Sequence, residues 1–176
     1  MKRRRSSLIL ILLFICSVIT ACSKSDIENE NDYERSVRAW VKFKETANNS
    51  YQYEVSQYSW PDHRSVTLIS VTNGKVTKRH YKSVFTEGLK NMPAETMEWT
   101  ENENDLNTHK DSPAAQAITL DEVYNLAKTN WLLKRKGSQP TFEAKNNGMI
   151  STCGFSAEGC VDDCFVGINI TSIVAL

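Results

Sequence analysis

The chain has 176 residues, with 21 Lys+Arg set against 21 Asp+Glu, so its formal net charge is zero. A phosphate-binding surface needs a clustered excess of basic residues, and the absence of any long basic stripe argues against nucleic acid as a partner. There is no Gly-rich phosphate loop, Gly-x-Ser-x-Gly elbow or His-Glu-x-x-His pair, so the common nucleotide-binding, serine-hydrolase and zinc-protease signatures are missing.

In chain order, the first feature is a leader. Lys2-Arg3-Arg4-Arg5 stands before an apolar run from Leu8 to Ile19. Basic residues hold the cytoplasmic side while the apolar stretch enters the bilayer during export. The run is about a dozen residues and a spanning helix needs roughly 20, so its length disfavours a permanent span. It ends Ile19-Thr20-Ala21-Cys22. This tetrapeptide resembles the lipobox of bacterial lipoproteins, which implies cleavage before Cys22 and a diacylglyceryl group on its sulfur. A small residue admits the peptidase to the backbone, and the thiol is the nucleophile that takes the lipid. One acyl chain holds only marginally, whereas the two or three of a mature lipoprotein anchor stably in a membrane. For a Gram-negative source, Ser23 implies sorting to the outer membrane, facing the periplasm. Loss of residues 1–21 removes four basic residues and no acidic ones, leaving 17 against 21. The mature chain is mildly acidic and long enough for one domain with a real core.

Residues 22–31 are polar after the cysteine and lack apolar periodicity, so they read as a flexible tether. The single folded domain is expected over 32–176. Its first helix is predicted over 32–47, with Asp32 as N-cap and Tyr33, Val37, Trp40 and Val41 at helical spacing. Tyr51-Gln52-Tyr53-Glu54-Val55-Ser56 alternates as a half-buried strand does. A second strand over 66–71 and a third over 76–81 flank Asn73-Gly74, the strongest short hairpin signal. The pattern then weakens, and the region around 83–116 reads as a mobile loop, with a short strand near 95–100. Thr119-Leu120-Asp121-Glu122 is a capping box. Leu120, Val123, Tyr124, Ala127 and Trp131 share one face of the second helix, which Gly137 is expected to end. Lys134-Arg135-Lys136 stands where that helix ends and complements its dipole. Strands are predicted over 141–145, 149–155 and 164–173, with Asn147-Gly148 as another hairpin turn.

The fold class expected is α+β, an antiparallel sheet with two helices packed on one face and the other face partly wet. Each half contains a helix, a strand and an Asn-Gly hairpin, which suggests a duplicated helix-plus-hairpin unit. Tyr51-x-Tyr53, Asn73-Gly74-Lys75-Val76, the second helix and Asp162-Asp163 resemble a family of small bacterial lipoproteins catalogued as a domain of unknown function. That resemblance spans residues 35–173. It implies an exported helix-plus-sheet domain and carries no activity or site residue.

Three cysteines remain in the folded part, Cys153, Cys160 and Cys164. Outside the cytoplasm a disulfide is the default. A two-residue turn at Glu158-Gly159 would place Cys153 opposite Cys164, and that pair is favoured, with Cys160 as the alternative partner of Cys153. No Cys-x-x-Cys exists and no His follows His109, so neither zinc nor a thioredoxin-like redox site is expected. Asp162, Asp163 and Glu158 lack the Asp-x-Asp-x-Asp spacing of a calcium loop. His63, His80 and His109 are scattered, with no nucleophile or carboxylate at motif spacing. Of the four tryptophans, Trp60 and Trp99 lie outside the helices and are the binding candidates.

These residues supply no catalytic motif, metal or cofactor. They favour a non-catalytic envelope lipoprotein that binds a small ligand or another envelope protein. The alternative is an envelope enzyme assembled from sequence-distant residues, for which His80, His109 and acidic groups should meet in one concave pocket.

Overall fold

The computed structural model describes residues 26–59, 63–84, 97–162 and 164–176. The leader, Cys22, Trp60 and Asp163, and with them the expectations attached to those residues, lie outside these segments. The elements run α1 (Glu30–Thr46), β1 (Tyr51–Ser59), β2 (His63–Thr72), β3 (Lys75–Val84), β4 (Glu98–Asn102), α2 (Leu120–Leu126), β5 (Ser138–Glu143), β6 (Thr152–Ala157) and β7 (Val166–Ala175). The seven strands form one antiparallel sheet in the order β4-β3-β2-β1-β7-β6-β5. The class is α+β, as the sequence indicated. A duplicated unit is not evident, since four strands follow the first helix and three follow the second.

Alternation decides which face of β1 is buried. Tyr51, Tyr53 and Val55 are buried while Gln52 and Glu54 are half-exposed. Their cross-strand partners Val71 and Ile69 on β2 and Ile173 on β7 join the same core. Tyr51 is the point where both helices meet the sheet. Trp40 of α1 lies edge-on to its ring at 5.0 Å, and the Leu120 amide at the start of α2 donates to its hydroxyl at 2.9 Å. Tyr124 of α2 ties α1 to the second half of the sheet. Its hydroxyl accepts from the Ile150 amide at 3.0 Å and shares a 2.7 Å hydrogen bond with Ser36 of α1.

Both hairpin turns form where Asn-Gly pairs were read. Asn73 and Gly74 have φ of 49° and 79°, and Asn147 and Gly148 have 52° and 86°, the positive pair that a type I′ turn requires. The capping box at Thr119 is present in both directions. The helix after it is shorter than the sequence suggested. It passes at Ala127–Trp131 into a π-helical turn, and the Leu132 amide bonds the Ala127 carbonyl. The wider turn lets Ala127, Trp131 and Leu132 all reach the core. Arg135 then folds back to donate to the Asn130 carbonyl at 2.6 Å, closing the helix end before Gly137.

Two loop expectations are revised. The tether does not extend to residue 31, because Ile27 is buried and bridges Leu133, and α1 begins at Glu30. The described part of the 83–116 region is organised. It carries β4 and then crosses the inner face of the sheet, pinned by the Ala115 amide on Thr67 Oγ1 at 3.0 Å. Among the described residues, no helix is long and apolar enough to cross a membrane.

Candidate functional site

Among the described residues, His80 and His109 do not meet in one pocket. His80 and Arg79 are neighbours on β3, so they point to opposite faces. His80 bonds Thr100 Oγ1 at 2.9 Å and lies 3.3 Å from Glu98 on the outer face. His109 is on the inner side, where its Nδ1 lies 3.0 Å from Glu101.

Glu101 is the most heavily used ionisable group. It is fully buried and 3.2 Å from Arg79. The amides of Asn107 and His109 donate to its carboxylate at 2.8 and 2.7 Å, and Thr108 Oγ1 donates at 3.1 Å. Burial alone would raise its pKa. The His109 and Asn107 amides, the His109 ring and the Arg79 charge outweigh that and bring it down to about 2. Trp99 covers this pair. Its ring stacks on His109 at 4.1 Å and on Tyr81 at 5.3 Å, and the Arg79 guanidinium lies 4.8 Å from its centroid. Trp99 is therefore engaged inside the fold, and the cluster acts as a clamp on the chain from 101 to 109.

The disulfide differs from the pairing expected. Cys160 and Cys164 are bridged, while Cys153 is a free, buried thiol. The favoured Cys153–Cys164 pair required a tight turn at Glu158-Gly159. In the structure Cys153 stands opposite Ile168 and Phe142, four positions from that register. The Glu158-Gly159 turn does form, the Cys160 amide donating to the Ala157 carbonyl at 3.2 Å, but the chain does not return from it as a strand: β7 begins only at Val166, and Cys160 bridges Cys164 before it. Burial pushes the Cys153 thiol up to about 12, so it is held protonated.

Cys160–Asp162 and Cys164 border a cleft of about 1020 Å³. The cleft arises from the way β1 and β7 part company. They pair from Tyr51↔Ala175 to Val55↔Ile170, with a register shift between Glu54 and Val55. The extra residue, Thr171, makes a bulge, and a bulge bends and twists its strand. Beyond it β7 continues with β6 and β1 with β2. Val55–Ser59 forms one wall and Phe165–Asn169 the other. Ala114–Gln116, Ile118 and Leu126 with Asn130 and Trp131 close the helix side, and Cys160–Asp162 with Cys164 close the far side.

Several exposed apolar side chains gather on this rim: Tyr58 (69% exposed), Val161 (97%), Val166 (50%) and Phe165 (37%). Phe165 is held in place by two glycines. A Cβ on Gly154 would come within 2.5 Å of the Phe165 ring and of the Val166 carbonyl, and Gly167, its cross-strand partner, is similarly close to the ring. Sequence reasoning overlooked these residues. The usable signal was a glycine inside each of two predicted strands, a mark of close backbone approach. Of the described candidates, only Cys160 and Cys164 with Asp162 line the cleft, and Trp99 does not. Among the described residues no group of His, Cys, Asp and Glu is arranged to hold a metal ion. No protein-family model, curated protein or solved structure matches the chain.

Proposed function

We propose that the chain is an exported lipoprotein, held to a membrane through lipid on Cys22, whose folded part is a non-catalytic binding module. The leader ending Ile19-Thr20-Ala21-Cys22 supports the anchor, and the Cys160–Cys164 bridge fits an oxidising compartment. With Ser23 next to the lipid, the outer membrane is the expected destination in a Gram-negative cell. In this reading α1 and α2 cover one face of the sheet through their shared hold on Tyr51, and the opposite face meets water.

The observation that carries the binding role is the cleft at the sheet split, with apolar side chains exposed along its rim. Exposed apolar groups gathered at a concavity mark ligand or partner sites. The separation of His80 from His109 across the sheet weighs against the enzyme alternative. The anchor is tested by expressing the chain in bacteria with radiolabelled palmitate and fractionating the cells. The parent chain should carry label and sediment with membranes. Cys22→Ser should carry none and persist as an uncleaved precursor. Processed, labelled Cys22→Ser protein would overturn the anchor.

A further inference from the structure

Resting on that binding-module reading, we propose that the cleft receives an extended, uncharged polypeptide segment, which adds as a strand to the open edges of β1 and β7.

The backbone supplies the first reason. Ser56, Gln57 and Tyr58 pair with Val66, Ser65 and Arg64 on β2. Val166 to Asn169 pair with Phe155 to Thr152 on β6. Among the described residues neither stretch has a ladder partner on the side facing the other. In an antiparallel ladder, alternate residues direct their N–H and C=O to alternate neighbours. The Ile170 amide bonds the Ser151 carbonyl on the β6 side. By that alternation, Gly167 and Asn169 turn their backbone groups toward the gap. The walls thus offer interior strand edges of the kind an added strand completes.

Charge supplies the second. Among the described residues lining the cleft, Asp162 is the only Asp or Glu, and there is no Lys, Arg or His. At the rim Arg64 lies 5.8 Å over the Tyr58 ring, so a phosphorylated or carboxylate-rich ligand would find one counter-ion at the edge and, among the described residues, none within the cleft. The polar lining consists instead of hydroxyls and the carboxamides of Gln57, Gln116, Asn130 and Asn169. These pair with backbone amides without a charge of their own. The side chains of an extended peptide alternate between two faces. Tyr58, on the face of β1 opposite to Val55, and Phe165, packed against Gly154 and Gly167, offer apolar contact to one row, and Val166, on the same face as Ile168, to the other.

The test uses the full chain purified in detergent. An array of acetylated, amidated octapeptides in which Thr alternates with each apolar residue is the probe. The best binder is then measured by fluorescence anisotropy beside two derivatives, one N-methylated at every second amide and one with Glu replacing Thr. Saturable binding is expected, weakened at least ten-fold by N-methylation and by Glu. The exposed-position variants Tyr58→Lys and Val166→Lys should each weaken it at least ten-fold, with unchanged far-UV spectra. Should Val166→Lys alter the spectrum, Tyr58→Lys decides. Absence of binding across the array at millimolar peptide would overturn the proposal. Equal affinity for the N-methylated peptide would do the same, pointing to a side-chain pocket. Self-association through this face, seen as a dimer that both variants abolish, would make a second copy the occupant and overturn it also. The peptide result does not depend on palmitate labelling, so failure of the anchor and failure of this proposal remain separable.

Discussion

At the scale of single residues, the clearest consequence of the structure concerns Glu101. Its carboxylate is fully buried and held at about 2, against an ordinary 4.5. A depressed folded-state pKa gives stability that is complete above 4.5 and is lost as pH falls toward 2. The shift corresponds to about 3 kcal/mol. Urea titrations from pH 5 to pH 2 should show that loss in the parent chain. Glu101→Gln should start less stable at pH 7 by about 3–5 kcal/mol, because Arg79 then lies buried without its counter-charge. Its stability should change less over the same acid range. Equal acid slopes for the two proteins would show that Glu101 is not the titrating group. Glu101 as a fixed anion was not legible in the sequence, where it is one acidic residue in a polar run. Its partners Arg79 and His109 come from a strand and a turn that only the fold places beside it.

Among the elements, local chemistry was the more readable part. Both Asn-Gly turns and the Thr119 capping box can be read directly because their physics is contained within four residues. Thr119→Ala removes the hydroxyl that accepts from the Glu122 amide. A loss of about 1 kcal/mol is expected, measurable as a lower urea midpoint with unchanged slope. A change below about 0.3 kcal/mol would mean that contacts such as Leu120 to Tyr51 hold this helix end unaided. The far end of the same helix was less legible. Periodicity through Trp131 was read as regular α-helix running to Gly137, but the core draws in Ala127, Trp131 and Leu132 together by way of a π-helical turn. No local signal marks that choice, because the packing against β6 that favours it lies some twenty residues away.

For the molecule as a whole, the cysteines give the sharpest check on the fold. In exported protein under native, non-reducing conditions, iodoacetamide should label none of Cys153, Cys160 and Cys164. Unfolding without reductant should expose Cys153 alone. Reductant applied to the folded protein should release Cys160 and Cys164 while Cys153 stays protected, and should cost about 2 kcal/mol for so short a loop. Peptide mapping that recovers Cys153 in a bridge would contradict the register of β6 against β7. That register separates the pairing expected from the pairing observed. The Glu158-Gly159 turn forms as read, but whether a strand resumes directly after it is not written in Ala157-Glu158-Gly159-Cys160, and the sheet decides that by starting β7 at Val166 and burying Cys153 opposite Ile168.

Legible from neighbours along the chain alone were the alternation of β1, the turns, the helix cap and hence the α+β class. Only the tertiary structure decided the sheet order, the disulfide, the buried Glu101 clamp and the cleft between β1 and β7. The sheet order, the cleft and the Arg79–Glu101 pair join residues distant along the chain, and the disulfide, though its cysteines are four positions apart, follows from the register of β6 against β7. Their pairing is set by which apolar faces can be buried together, a property of the packed core that no local stretch encodes.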